Sequence, residues 1–259
     1  MQTTEKRANL ATVVAPYLPY LRRYARSLTG DQSAGDGYVA QTLEALIADR
    51  DAMDPGLEPR VALYRLFTAI WSAAAAVSEA KMDGPTTSRA RQLLLLVAVE
   101  DFSPEEAALV MGIDAEEAAM LRAAASRELE SQARSRILII EDEPIIALDI
   151  ESIVVGMGHE VVGVADTHRE AVARAAETAP DLILADIQLA DGSSGVEAVE
   201  EILKTAEMPV IFITAYPERL LTGDRVEPPF LITKPFRPEA VEAAIAQAVF
   251  HRKTWKPSA

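Results

Sequence analysis

The stretch DLILADIQL, Asp181–Leu189, decides how the C-terminal half of the chain folds. Its apolar run Leu182–Leu184 stands between Pro180 and Gly192 and delivers Asp186 to its end. A short apolar run bounded by turn-forming residues predicts a strand buried on both faces, as a parallel sheet requires. In open α/β sheets the site lies beyond the carboxyl ends of the strands, so Asp186 stands where chemistry is expected. Three further runs repeat the pattern. Ile137–Ile140 ends in Glu141, Asp142 and Glu143; Val210–Ile213 ends in Thr214; Phe230–Thr233 ends in Lys234, followed by Pro235 and Phe236. A lone strand-end aspartate is usually a turn former. Four strand ends carrying acids, a hydroxyl and a lysine form a constellation.

Composition narrows the function classes. The 259 residues suit one large domain or two ordinary ones, and 49% hydrophobic content is ample for a buried core. Residues 1–135 hold 14 basic and 19 acidic side chains, a net of −5; residues 136–259 hold 11 and 21, a net of −10. Neither half carries the basic footprint of a nucleic-acid binder. Cysteine is absent, which excludes disulfides and thiolate metal sites and suits a reducing compartment. His159, His168 and His251 are scattered without metal-ligand spacing and are expected at the surface. Met1–Asn9 shows no signal peptide, and Leu93–Val99 is too short to span a membrane. A cytoplasmic protein without a membrane partner is expected.

The N-terminal half reads as helices. Tyr17, Leu18, Leu21, Tyr24, Ala25 and Leu28 form one apolar stripe, with Pro16 and Pro19 at its start and Gly30 after its end. Val39, Leu43, Leu46 and Ile47 predict the inward face of a helix over 34–49. Leu63, Leu66, Phe67, Ile70 and Trp71 predict another over 60–79. Lys81–Ser88 reads as a linker. Helices are then expected over 89–100, 103–111 and 114–132. Ser103–Glu106 and Asp114–Glu117 read as capping boxes, and only Gly112 and Ile113 separate the last two helices. Two helices joined by a short glycine-containing turn are a helix-turn-helix signature.

Glu141, Asp142, Asp186, Thr214 and Lys234, the last in a KPF triplet, make residues 136–259 resemble a response-regulator receiver domain, an α/β flavodoxin-like, doubly wound (βα)5 fold. The resemblance implies Asp186 as phospho-acceptor for a sensor histidine kinase or phosphotransferase. It implies Thr214 and Lys234 as the groups facing the phosphate. It also implies Mg²⁺ held by Asp142 and Asp186, by Glu141 through water, and by the backbone carbonyl of Gln188. Without the ion, clustered carboxylates repel and at least one pKa is expected to rise. Many receivers carry an aromatic switch three residues before the lysine; here that position is Leu231, and Phe230 is expected on the opposite face. A signal path through the Thr214–Asp224 loop and the last strand is then expected. Residues 1–132 resemble an all-α extracytoplasmic-function sigma factor, with one sigma-like domain over 1–80, the linker 81–88, and a helix-turn-helix-like domain over 89–132. A sigma-like half followed by a receiver resembles the PhyR-type general stress response regulators.

The departures from a working sigma factor carry the functional expectation. Between Arg91 and Arg122 no basic residue occurs, whereas Glu100, Asp101, Glu105, Glu106, Asp114, Glu116 and Glu117 do. A DNA-reading helix needs cations for phosphates and base edges, and this one begins Asp114-Ala-Glu-Glu. Sigma shape without DNA chemistry suits a decoy. The expected function is a phosphorylation-dependent anti-anti-sigma factor whose sigma-like half sequesters an anti-sigma factor resembling NepR. The expected chain is no enzyme beyond possible self-dephosphorylation, and direct DNA binding is not expected. The alternative is a response regulator acting on promoters directly through the helix-turn-helix.

Overall fold

The first apolar stripe forms helix α1, Leu18–Thr29, which Gly30 ends in the left-handed region at φ 68°. In the computed structural model the chain makes two units, Met1–Ala124 and Ala125–Ala259. The structure describes residues 11–79, 88–130, 133–189, 191–217, 220 and 228–252. After α1 come α2 (Gln32–Ala48), α3 (Pro59–Glu79), α4 (Arg89–Ala98), α5 (Pro104–Met111) and α6 (Ala115–Glu130). The division between the units falls within α6. Of the expected linker Lys81–Ser88, only Ser88 lies among the described residues; its hydroxyl caps α4 by accepting from Arg91 N–H at 3.2 Å.

Leu21, Tyr24, Leu28, Leu46, Phe67, Leu93, Leu96 and Val110 share one core, so the helices before and after the linker pack together. Three expectations need correction here. Ile47 is 74% exposed; the inward stripe of α2 is Val39, Thr42 and Leu46, and Ile47 falls off that stripe near the helix end. Ser103 and Glu106 form the reciprocal capping box. At the next helix only half of one is present: Asp114 accepts from Glu117 N–H at 2.8 Å, while the Glu117 carboxylate turns to Arg89 at 2.7 Å. Glu100, counted above among seven acids opposing DNA, is fully buried and paired within the unit.

The second unit is a five-stranded parallel sheet in the order β2-β1-β3-β4-β5. The strands are β1 (Arg136–Ile140), β2 (Glu160–Ala165), β3 (Leu182–Ala185), β4 (Val210–Thr214) and β5 (Phe230–Thr233). Helices α7 (Pro144–Gly156), α8 (His168–Thr178), α9 (Gly195–Leu203) and α10 (Pro238–His251) cover it. Side chains alternate between two cores. Ile137, Ile139, Leu182, Leu184, Phe230 and Ile232 meet α7 and α10. Leu138, Ile140, Ile183, Phe212 and Leu231 meet α8 and α9. Phe230 and Leu231 thus face opposite sides, as strand alternation requires. The edge strand β2 is the one run that sequence reading did not locate: its residues are only half-buried up to Ala165, so the apolar signal is diluted. Two of the histidines are buried, against the surface expectation. His159 Nδ1 accepts from Ser135 N–H at 3.2 Å, and His251 lies 2.9 Å from Gln247 Nε2. His168 pairs with Glu201 at 2.8 Å.

Candidate functional site

The strand order reverses between β1 and β3, and in a doubly wound sheet the crevice opens at that switch point. Parallel registry sets Ile140 beside Ala185. Asp186 N–H then donates to Ile140 O at 2.8 Å, so the residues following both strands, Glu141 and Asp186, emerge side by side. Glu141, Asp142 and Asp186 bring carboxylate oxygens within 4.8 Å of one another. From β5, Lys234 Nζ reaches Asp186 Oδ2 at 2.6 Å, Glu141 Oε2 at 2.9 Å and Glu143 Oε1 at 3.7 Å. The Lys234–Pro235 peptide is cis.

Burial is the largest influence on Glu141; it raises the carboxyl pKa above the usual range, with Lys234 opposing and the Asp186 charge adding to it. A raised pKa is as expected, but desolvation leads and like-charge repulsion is secondary. Burial also pulls Lys234 down, yet the hydrogen bonds and charges of Asp186 and Glu141 outweigh it and hold the ammonium above its ordinary value. Lys234 therefore stays cationic, and the site keeps more carboxylates than cations.

The donor set suits a hard divalent cation, which prefers oxygen ligands. The loop after Asp186 fits this as well. Gln188 and Ser194 form an antiparallel bridge whose bonds run from Gly195 N–H to Ile187 O and from Leu189 N–H to Ser193 O, leaving the Gln188 carbonyl outside it. Thr214 is placed differently from the rest. It is fully buried at the end of β4, and its hydroxyl accepts from Tyr216 N–H at 3.1 Å. Its main-chain carbonyl accepts from Lys234 N–H at 2.7 Å, which ties β4 to the lysine. Most of the Thr214–Asp224 loop expected to carry the signal lies outside the described residues.

One positioning residue escaped the sequence reading. A Cβ on Gly195 would stand 1.8 Å from the Asp186 carbonyl oxygen, so only glycine lets α9 start this close to the strand end. Its signal is a glycine directly after the Ser194 cap, whose hydroxyl accepts from Glu197 N–H at 3.4 Å.

The geometry agrees with what the chain is similar to. Residues 14–68 match the Sigma2 domain of PhyR, residues 85–132 the sigma-like domain of response regulator PhyR, and residues 137–246 the response regulator receiver domain. The phyllosphere-induced regulator PhyR of Methylorubrum extorquens is 49% identical over 256 residues, 94% of this chain and 96% of that protein. The chain belongs to the PhyR family. Two solved members extend the likeness to three dimensions. The response regulator PhyR from Brucella abortus is 51% identical with a TM-score of 0.87, over 95% of this chain and 96% of its own. The anti-anti-sigma factor PhyR from Bartonella quintana is 50% identical with a TM-score of 0.87, over 95% and 97%. As in the PhyR family, a helical sigma-like half precedes a receiver with a five-stranded parallel sheet. Among the described residues no helix is long and apolar enough to cross a membrane.

Proposed function

We propose that the chain is a phosphorylation-controlled anti-anti-sigma factor of the cytoplasm. The observation that carries this reading is Asp186 at the switch point, its carboxylate held 2.6 Å from Lys234 beside Glu141 and Asp142, in a chain whose other half is sigma-like. Asp186 attacks the phosphorus of a phosphohistidine on a sensor kinase or phosphotransferase. The new O–P bond forms as the P–N bond breaks, and the imidazole leaves with a proton. Such catalysis consists mainly of positioning and charge neutralisation. Lys234 balances charge on the phosphoryl oxygens, and Glu141 and the Asp186 backbone hold the acceptor in place. Asp142, Asp186 and the Gln188 carbonyl, with Glu141 through water, would hold a Mg²⁺ ion, which would supply the remaining positive charge. The chain is the acceptor in this transfer and not an enzyme acting on another molecule.

The sigma-like unit then binds an anti-sigma factor and frees the sigma factor. Support comes from the acids at the helix-turn-helix: Asp114 and Glu116 are exposed, and Arg89 is taken up by Glu117. Carboxylates there repel phosphates and release no counterions. Incubation with an acyl phosphate and Mg²⁺, followed by intact-mass measurement and capture of a purified anti-sigma factor, tests both halves. Phosphate on Asp186 with enhanced capture is expected; salt-dependent binding to promoter DNA without capture would overturn it.

A further inference from the structure

The turn after α4, residues 99–102, is tied into α1 and α3 more heavily than a connecting turn requires. Glu100 is 1% exposed. Its Oε1 accepts from Arg23 Nε at 2.9 Å, its Oε2 from Tyr64 Oη at 2.9 Å, and its main-chain carbonyl from Arg60 Nη2. Arg23 also donates to Val99 O at 3.2 Å. The Arg60 guanidinium lies 4.1 Å over the Phe102 ring, and Tyr64 meets that ring edge-on at 4.9 Å. Asp101 turns the chain here with a left-handed φ of 57°.

Arg23, Arg60 and Tyr64 belong to the segment that matches the Sigma2 domain; Glu100 and Phe102 belong to the second sigma-like segment. The knot therefore joins the two family segments across 77 residues of sequence. Desolvation of a buried ion pair cancels most of its attraction, so it contributes little stability. What it contributes is a single permitted arrangement. Apolar faces tolerate sliding, whereas a buried carboxylate displaced from its two donors is left with its full desolvation penalty.

We infer that Glu100, with Arg23 and Tyr64, is a positioning element that fixes the relative placement of the two sigma-like segments, and that the anti-sigma factor recognises this placement. The second clause rests on the function proposed above. Apparent affinity scales with the fraction of molecules in the competent arrangement. If that fraction falls to about a tenth, binding weakens about tenfold with no contact residue touched.

The test uses the full chain carrying Arg23→Met, Tyr64→Phe and Glu100→Leu, which fills the same space without the polar groups. Because the chain has no cysteine, Gln41→Cys on α2 and Glu105→Cys on α5, both exposed, take spin labels cleanly. Electron–electron resonance should read one narrow distance for the parent and a broad distribution for the triple variant at a similar melting midpoint. Calorimetry with a NepR-type anti-sigma factor from the same organism, after acyl phosphate and Mg²⁺, should show affinity weakened about tenfold or more. Should the triple variant not fold, Tyr64→Phe alone, which keeps the ion pair, should move both readouts in the same direction by less. An unchanged distance distribution, or a broadened one with unchanged affinity, overturns the inference. A parent chain that binds no anti-sigma factor overturns the proposed function instead, and the distances still decide whether Glu100 positions the segments.

Discussion

The buried Glu100 cluster of the helical unit and the Asp186 cluster of the receiver unit are built to opposite specifications. In the helical unit, Arg23 faces Glu100, and Tyr64 and Arg60 satisfy what remains of that carboxylate and its backbone. Burial lowers the Arg23 pKa, but the charge and hydrogen bond of Glu100 outweigh it and hold the guanidinium above its usual value. In the receiver unit a single lysine faces Asp186 and Glu141, with Glu143 at 3.7 Å and Asp142 in the same cluster. In the first cluster the single buried carboxylate is matched by Arg23 and both of its oxygens are hydrogen-bonded. The second has a surplus of negative charge that a divalent cation can neutralise. A matched buried pair holds a structure in place, whereas an unmatched one is a site.

The largest effect should come from the acceptor itself. Asp186→Ala is expected to abolish phosphate uptake from an acyl phosphate with Mg²⁺; intact mass decides, and any residual Asp186-independent uptake would break the comparison at its functional end. Breaking the balanced cluster should show in stability instead. Glu100→Ala strands Arg23 without its partner and should cost about 3–5 kcal/mol, read from denaturant unfolding of the helical unit. If the loss were below about 1 kcal/mol, the pair would be no more than a surface-type contact. Gly195→Ala sharpens the other side. The new Cβ meets the Asp186 carbonyl at 1.8 Å, so strand end or helix must shift. A loss of about 1–3 kcal/mol is expected, together with slower phosphate uptake, measured as the initial rate.

The smallest effect is a pH dependence. Glu141 has its folded pKa raised chiefly by burial, so its contribution to stability is present below the unfolded value of about 4.3 and is lost as pH rises through the folded value. Glu141→Gln, which cannot charge, should therefore melt higher than the parent at pH 7 in chelator. A difference of about 2–4 °C corresponds to about 1 kcal/mol in a chain of this size. The advantage should vanish near pH 4 and shrink in saturating Mg²⁺. A variant less stable than the parent at pH 7 would mean that Lys234 more than offsets the burial.

The strand ends were legible in the sequence because the signals are local. An apolar run between turn residues places Asp186, Glu141 and Lys234 at carboxyl ends, and a doubly wound sheet gathers those ends without further instruction. The helix starts were legible for the same reason: Ser103 and Glu106 are three residues apart and need only each other. Glu100 was not. In the sequence it is one acid in an acid-rich stretch, and its partners lie 36 and 77 residues away. Gly195 likewise needs the Asp186 carbonyl before its missing side chain means anything.

Sequence alone thus determined the helices of the first half, four of the five strands with the ends that carry the acceptor and its lysine, and the acid-rich helix-turn-helix. Each of these depends on residues within a turn or a strand of one another. Tertiary structure alone decided that Glu100 is an internal partner and not a surface charge, that Ile47 is exposed while His159 and His251 are buried, and that burial leads the shift at Glu141. Burial and pairing are set by what lies across the fold, and chain neighbours carry little information about desolvation by residues tens of positions away.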